Sequence, residues 1–191
     1  MSNIQRSKFE VPNFEGLKEE MLRIANTIGG VEAKKWFEES FRKGGFTDSS
    51  FDKWPESGNP FRLGKKTMYS SGSLFRGFVA KHGINKVIVE NIQKYGEIHN
   101  NGGTIKVTKA MKAHFWKLYY ELTGKAKRAR SNKARITAKA EMCKRIALMP
   151  EGSVIKMPKR QFMGHSELMM KEMERNWLIV MNRKFGNLRA K

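Results

Sequence analysis

The stretch Met157-Pro158-Lys159-Arg160-Gln161-Phe162-Met163-Gly164-His165-Ser166 decides where the last strand ends and the last helix begins. Pro158 has no backbone N–H to give to a sheet and favours an extended residue before it, so a strand over Ser153–Lys156 must stop here. Gly164 permits a sharp turn, and Ser166 is a good N-cap for a C-terminal helix. The sequence therefore predicts a strand, a turn and a helix in this order.

A second stretch, Tyr95-Gly96-Glu97-Ile98-His99-Asn100-Asn101-Gly102-Gly103, has the complementary pattern. Its Tyr95–His99 part favours a strand, and the Asn and Gly residues after it tolerate the positive φ angles of a turn. We expect Phe162 to hold the later turn by burial, and Arg160 by a bidentate contact to a carboxylate or to backbone carbonyls. The residues expected to shape the two turns are Tyr95, His99, Gly102, Gly103, Pro158, Arg160, Phe162 and Gly164.

Apolar residues at helical spacing open the chain. They predict a helix over Asn13–Thr27 with Asn13 as its cap, and another over Val31–Lys43 that ends at Gly44-Gly45. The two form either a pair or one kinked helix, because Gly29-Gly30 lies between them. Residues 44–70 contain two prolines and no sustained period, which predicts a long ordered loop. Its aromatic residues either pack on the domain itself or contact a neighbouring subunit. The candidates for subunit contact are Phe46, Phe51, Trp54 and Phe61.

The middle of the chain predicts short strands and an inserted pair of helices. Leu74–Ala80 and Asn85–Asn91 resemble the strands of a hairpin. Residues 109–148 read as two helices joined by a basic turn at Gly124–Ser131. The predicted fold is a single α+β domain over residues 1–191. It has N-terminal helices, one antiparallel sheet of about four strands, the inserted hairpin and a long C-terminal helix packed on the sheet.

The charge of the chain favours a polyanionic neighbour. Its formal net charge is +20, and the excess is concentrated in the inserted hairpin. Few aromatic residues interleave with the basic run over Gly124–Arg145, so a nucleic-acid contact would be independent of sequence. DNA, an acidic protein and a merely solvated helix face remain alternatives. The candidate polyanion contacts are Lys125, Lys127, Arg128, Arg130, Lys133 and Arg135.

No catalytic or metal-binding pattern is present in the sequence. Cys143 is the only cysteine, and the four histidines lie far apart, without a metal-ligand spacing. No apolar run reaches the length of a membrane span, and residues 1–10 do not form a secretion signal. We therefore expect a protein that is not an enzyme, holds no cofactor and contacts no membrane.

Two motifs carry a resemblance to a known family. A Y-x-x-I-H segment followed by Gly-Gly, and a later P-x-R-x-F-M-G turn into a helix, are similar to the virion morphogenesis or tail completion proteins of Mu-like long-tailed bacteriophages. The Trp54-Pro55 loop and the Ser71-Gly72-Ser73-Leu74 entry to a strand fit the same pattern, whereas the hairpin at 109–148 departs from it.

The resemblance implies a structural protein of the virion neck or top of the tail, which is made in the host cytoplasm and joins tail to head. It also implies a ring homo-oligomer, partners such as the tail terminator and head–tail connector, and a possible contact with packaged DNA. The alternative is a sequence-independent nucleic-acid-binding protein that uses the basic hairpin.

Overall fold

The structure is a computed structural model that describes residues 13–62, 66–69, 71–128 and 133–186. Six helices and six short strands within these described ranges make it an α+β fold, as predicted. A 3-10 turn over Pro60–Arg62 lies between β2 and α2. The elements are α1 (Phe14–Lys43), β1 (Gly45–Thr47), β2 (Phe51–Lys53), α2 (Ser73–Arg76), β3 (Phe78–His82), β4 (Val87–Asn91), α3 (Gly96–Asn101), β5 (Gly103–Lys106), α4 (Lys109–Arg128), α5 (Lys133–Leu148), β6 (Val154–Met157) and α6 (Glu167–Phe185).

The N-terminal helix α1 is continuous. Asn13 caps its first turn, as predicted, and Gly44 ends it in the left-handed conformation at φ 75°. Of the two predicted alternatives, a pair of helices is therefore wrong, and Gly29-Gly30 lies within a single helix. A Cβ atom on Gly30 would lie 3.2 Å from both Ala80 Cβ and Val87 Cγ2. The glycines are therefore positions where β3 and β4 approach the helix closely, and the packing of this hairpin offsets their low helix propensity.

The six strands form three separate antiparallel pairs, β1 with β2, β3 with β4 and β5 with β6. The prediction of one sheet of about four strands is therefore corrected. The supposed strand at Tyr95–His99 lies mostly in α3, so it cannot join β4 to β5 in one sheet. The predicted loop over 44–70 contains the β1–β2 hairpin and the 3-10 turn. Ser71–Leu74, expected to open a strand, leads into the short helix α2.

The core joins elements that are distant in the sequence. Phe41 lies at its centre, with ring centroids 5.4 Å from Trp54, 6.0 Å from Phe78 and 5.1 Å from Phe162. Burial of these rings is the main attraction between α1, the segment after β2, β3 and the turn before α6. The buried cluster consists of Ala33, Phe37, Phe41, Phe46, Trp54, Leu74, Phe78, Phe162 and Met169.

The C-terminal helix begins where the sequence predicts. Ser166 is fully buried and its Oγ accepts a hydrogen bond from the Met169 backbone N–H at 3.1 Å. Its packing differs from the prediction, because α6 lies mainly along α1 and not on a sheet. An ion pair between Lys184 and Glu20 joins these two helices near their ends.

The inserted hairpin is also where the sequence predicts it. The helices α4 and α5 pack against each other along their length, and α5 also contacts the 3-10 turn. The strands β5 and β6, which pair with each other, carry the two ends of this hairpin. We call residues 109–148 the arm.

Candidate interaction surfaces

The two stretches that organise the sequence meet in one place, which we call the motif junction: residues 54–56, 99–103 and 157–163. Arg160 is 7% exposed, and its side chain donates from Nε to the Pro55 carbonyl at 2.9 Å and from Nη2 to the Glu56 carbonyl at 3.2 Å. Its backbone N–H donates to the His99 carbonyl at 2.8 Å. Burial lowers the pKa of Arg160, because desolvation disfavours the charged form. The backbone-carbonyl form of the predicted contact is therefore confirmed.

Asn100 contributes a link that the sequence interpretation missed. Its Oδ1 accepts hydrogen bonds from the backbone N–H groups of Phe162 at 2.9 Å and Met163 at 3.0 Å. One amide side chain thus connects the end of α3 to the turn before α6. The sequence marked Asn100 as a turn former, and no local pattern pointed to partners sixty residues away.

The other residues expected to shape the two turns lie in or beside the motif junction. Phe162 is fully buried, as predicted. Gly102 has φ 73°, and a Cβ atom there would lie 2.9 Å from the Lys159 backbone nitrogen, so both its conformation and the close approach require glycine. Tyr95 is half-exposed and its ring meets the ring of His99 edge-on, with centroids 6.0 Å apart. Positive φ angles also occur at Gly103 and Gly164, and Pro158 follows β6 directly.

The loop aromatics divide into core and surface residues. Phe46 and Trp54 are each 4% exposed, and Trp54 Nε1 donates to the Gln161 carbonyl at 2.6 Å. These two rings belong to the core of their own chain and therefore cannot line a subunit contact in this conformation. Phe61 is half-buried, with Lys139 Nζ 5.3 Å from its ring centroid. Phe51 is 48% exposed and is the one member of the set with a broadly open ring.

The arm carries the charge that the sequence indicated. Residues 109–148 hold twelve Lys or Arg residues and two Glu residues, which is half of the net charge of +20. The predicted turn at Gly124–Ser131 is helical as far as Arg128, so the basic residues before that point lie on α4. Arg130 lies outside the described residues. The other five candidates are exposed: Lys125, Lys127, Arg128, Lys133 and Arg135.

We call the described residues 125–128 and 133–135 the arm tip, and ion pairing does not neutralise its lysines. Among the described residues, the ion pairs lie on α1 and α6, between these helices, between β3 and β4, and just after β2. Lys125, Lys127 and Lys133 take part in none of them, and the Arg128 Nε donates to the Gly124 carbonyl at 3.2 Å. The tip therefore presents cationic groups to solvent.

The structure adds aromatic side chains to this basic surface. On α4 the rings of Trp116 and Tyr120 stack, with centroids 5.9 Å apart and planes 23° apart. Lys144 of α5 lies 6.0 Å from the ring centroid of Tyr119. The sequence interpretation missed these residues because they precede the basic run. Their spacing on a helix was the signal that could have placed them near it.

The described residues contain few features that indicate a metal site, a reactive thiol or a ligand pocket. No three His, Cys, Asp or Glu side chains among them group in a way that could hold a metal ion. Cys143 is fully buried, and burial raises the pKa of its thiol. A cavity of about 140 Å³ beside the motif junction is lined in part by Tyr95, His99 and Arg160. The Arg160 side chain already donates hydrogen bonds to two backbone carbonyls. No helix in the described ranges has the length and apolar character needed to cross a membrane.

Comparisons of this chain with protein-family models, curated proteins and solved structures give no match.

Proposed function

We propose that this chain is a structural protein of a tailed-bacteriophage virion that acts in tail completion and head–tail joining. The observation that supports the proposal is the convergence of its separate motifs. Trp54-Pro55, the 95–103 stretch and the 157–166 stretch are far apart in the sequence, and they bind one another through directional hydrogen bonds in the motif junction. Because these motifs contact one another, they form one structural unit. Members of a family would be expected to share such a unit, so the contacts support the resemblance.

On this proposal the protein works through surfaces and not through catalysis. It would assemble as a ring at the virion neck or top of the tail, after synthesis in the host cytoplasm. Its partners would be a tail terminator and a head–tail connector, and each copy would use two different faces toward its ring neighbours. The exposed ring of Phe51 is the candidate from the loop set for such a contact.

The direct test is to inactivate the gene in a phage that encodes the chain and to examine the lysate by electron microscopy. We expect separate heads and tails in place of joined particles, and recovery of infectivity when the purified protein is added. Normal yields of joined particles without the protein would refute the proposal.

The arm supports a second candidate function, sequence-independent nucleic-acid binding. Exposed cations suit phosphate contacts, and such contacts give little sequence discrimination. Each single contact is weak, so the effect must be collective. The test variant removes three described tip charges, and the control variant removes three exposed charges elsewhere. The tip variant is Lys125→Gln, Lys127→Gln and Arg128→Gln; the control variant is Lys86→Gln, Lys94→Gln and Lys171→Gln.

The measurement is the affinity for a 20-base-pair duplex as a function of salt concentration. We expect the slope of log affinity against log salt to fall by about 0.9 for each phosphate that the tip variant no longer binds. The control variant has the same net charge and should keep the parental slope. Equal slopes for both variants would show that net charge, and not the arm, attracts the duplex.

A further inference from the structure

One face of α4 combines cationic, aromatic and small residues. At 3.6 residues per turn, eight residues lie within about 60° of the direction of Tyr120. We call them the outer face of α4: Lys109, Ala113, Trp116, Lys117, Tyr120, Thr123, Gly124 and Lys127. From Lys109 to Lys127 this face is about 27 Å long.

The outer face is open and contains neither acidic nor aliphatic branched side chains. Five of its residues are exposed, and Trp116, Thr123 and Gly124 are half-exposed. The apolar stripe of α4 lies on the opposite side of the helix, and its residues are all half-buried beside α5. That stripe consists of Met111, Phe115, Leu118 and Leu122.

Tyr120 is the central feature of the outer face. Its side chain is 66% exposed, and Trp116 supports its ring from one turn earlier. Gly124, one turn later, has no side chain that could cover the ring. Lys117 precedes Tyr120 by about one helical turn and Lys127 follows it by about two, so a cation lies on each side of the ring along the helix.

The combination of an exposed aromatic ring with flanking lysines favours one class of polyanion over the others. A partner helix would need aliphatic side chains to pack against, and those lie on the opposite side of α4. In duplex DNA the base faces are already stacked on each other, so the duplex offers phosphates and groove edges but no base face to an exposed ring. Unpaired bases can stack on an exposed aromatic ring while neighbouring lysines bind the phosphates, which is how single strands are bound without sequence preference.

We propose that the outer face of α4 binds single-stranded nucleic acid, with a base stacked on Tyr120 and flanking phosphates on Lys117 and Lys127. The proposal rests on the second candidate function, nucleic-acid binding by the arm, and specifies its ligand and its contact. Of the polyanion contacts that the sequence predicts, only Lys127 lies on this face.

The test uses the full chain and two fluorescein-labelled probes, a dT20 oligonucleotide and a 20-base-pair duplex, with binding followed by fluorescence anisotropy. Tyr120→Leu should weaken dT20 binding by about five- to a hundredfold, which corresponds to the loss of one stacked base. Its duplex affinity should stay within about twofold of the parent. Tyr120→Phe keeps the ring and should restore dT20 binding.

Two controls separate the contact from general effects. Phe14→Leu removes an aromatic ring of nearly equal exposure, 64%, on α1, and should leave dT20 binding unchanged. Lys117→Gln should lower the dT20 salt slope by about 0.7, whereas Lys171→Gln on α6 should not change it. Circular dichroism of each variant checks that the helices are intact.

The outcomes distinguish this inference from the function on which it rests. If the parent binds both probes and Tyr120→Leu binds dT20 as tightly as the parent, the stacking contact is refuted and nucleic-acid binding by the arm stands. If the parent binds neither probe, both are refuted. If polyglutamate displaces dT20 at equal charge concentration, the face recognises acidic charge as such, and an acidic protein replaces nucleic acid as its ligand.

Discussion

Replacing Phe162 by alanine tests whether the motif junction holds the fold together. The ring is fully buried, with centroids 5.1 Å from Phe41 and 5.9 Å from Phe78. Removing a fully buried phenylalanine costs about 3–5 kcal/mol, because its burial is forfeited and a cavity remains. We expect the upper part of that range, because the variant also lacks two aromatic pairs. For a chain of this size the melting temperature should fall by about 6–20 °C.

The assay is thermal unfolding followed by far-ultraviolet circular dichroism, with urea unfolding as an independent measure. The matched control is Phe14→Ala, which removes a ring that is 64% exposed and should change stability by less than about 1 kcal/mol. Phe162→Leu keeps most of the buried apolar volume and should fall between the two. If Phe162→Ala melts at the parental temperature, the turn before α6 does not belong to the core and the reasoning fails.

Three further predictions concern single residues. Gly102→Ala should destabilise the protein more than Gly152→Ala. Both glycines have positive φ angles, but a Cβ atom at Gly102 would meet backbone atoms, whereas a Cβ atom at Gly152 would meet nothing within 4 Å. The midpoints of urea unfolding compare the two variants. Asn100→Ala leaves two backbone N–H donors without their acceptor, which should lower the free energy of unfolding by about 1–3 kcal/mol for each buried group. Asn100→Asp keeps the acceptor oxygen and should unfold at a higher urea concentration than Asn100→Ala. Cys143 should react slowly with a disulfide reagent in the folded protein at pH 8 and quickly in denaturant. Burial blocks access to the thiol, and its raised pKa reduces the fraction present as thiolate. A fast reaction of the folded protein would contradict the buried position.

Local chemistry explains what the sequence could predict. The cap at Asn13, the stop at Gly44 and the cap at Ser166 each depend on a few adjacent residues, and all three are present in the structure. The arm could also be predicted, because helical periodicity on both sides of a basic turn is a local pattern. The continuation of α4 through Gly124 to Arg128 shows its limit, since a single glycine followed by basic residues does not by itself end a helix.

Long-range packing explains what the sequence could not predict. Gly29 and Gly30 resemble a helix break until β3 and β4 are known to pack on them. Tyr95–His99 has residues that suit a strand, but most of the segment lies in α3, where Gly96 is buried with Leu74 Cδ2 3.4 Å from where its Cβ would be. In both cases tertiary packing outweighs local propensity.

The motif junction and the arm differ in what substitutions can reveal. The motif residues Trp54, Arg160 and Phe162 are buried, and Asn100 is bound to backbone groups, so changing these residues alters stability before it alters any surface. The outer face of α4 is solvent-exposed, and its side chains can be replaced without opening the core. Variants of the motif junction therefore test the fold that the resemblance implies, whereas variants of the arm test recognition with the fold intact. An arm variant that keeps the parental melting temperature and no longer binds its ligand would separate recognition from folding, which no substitution in the motif junction can do.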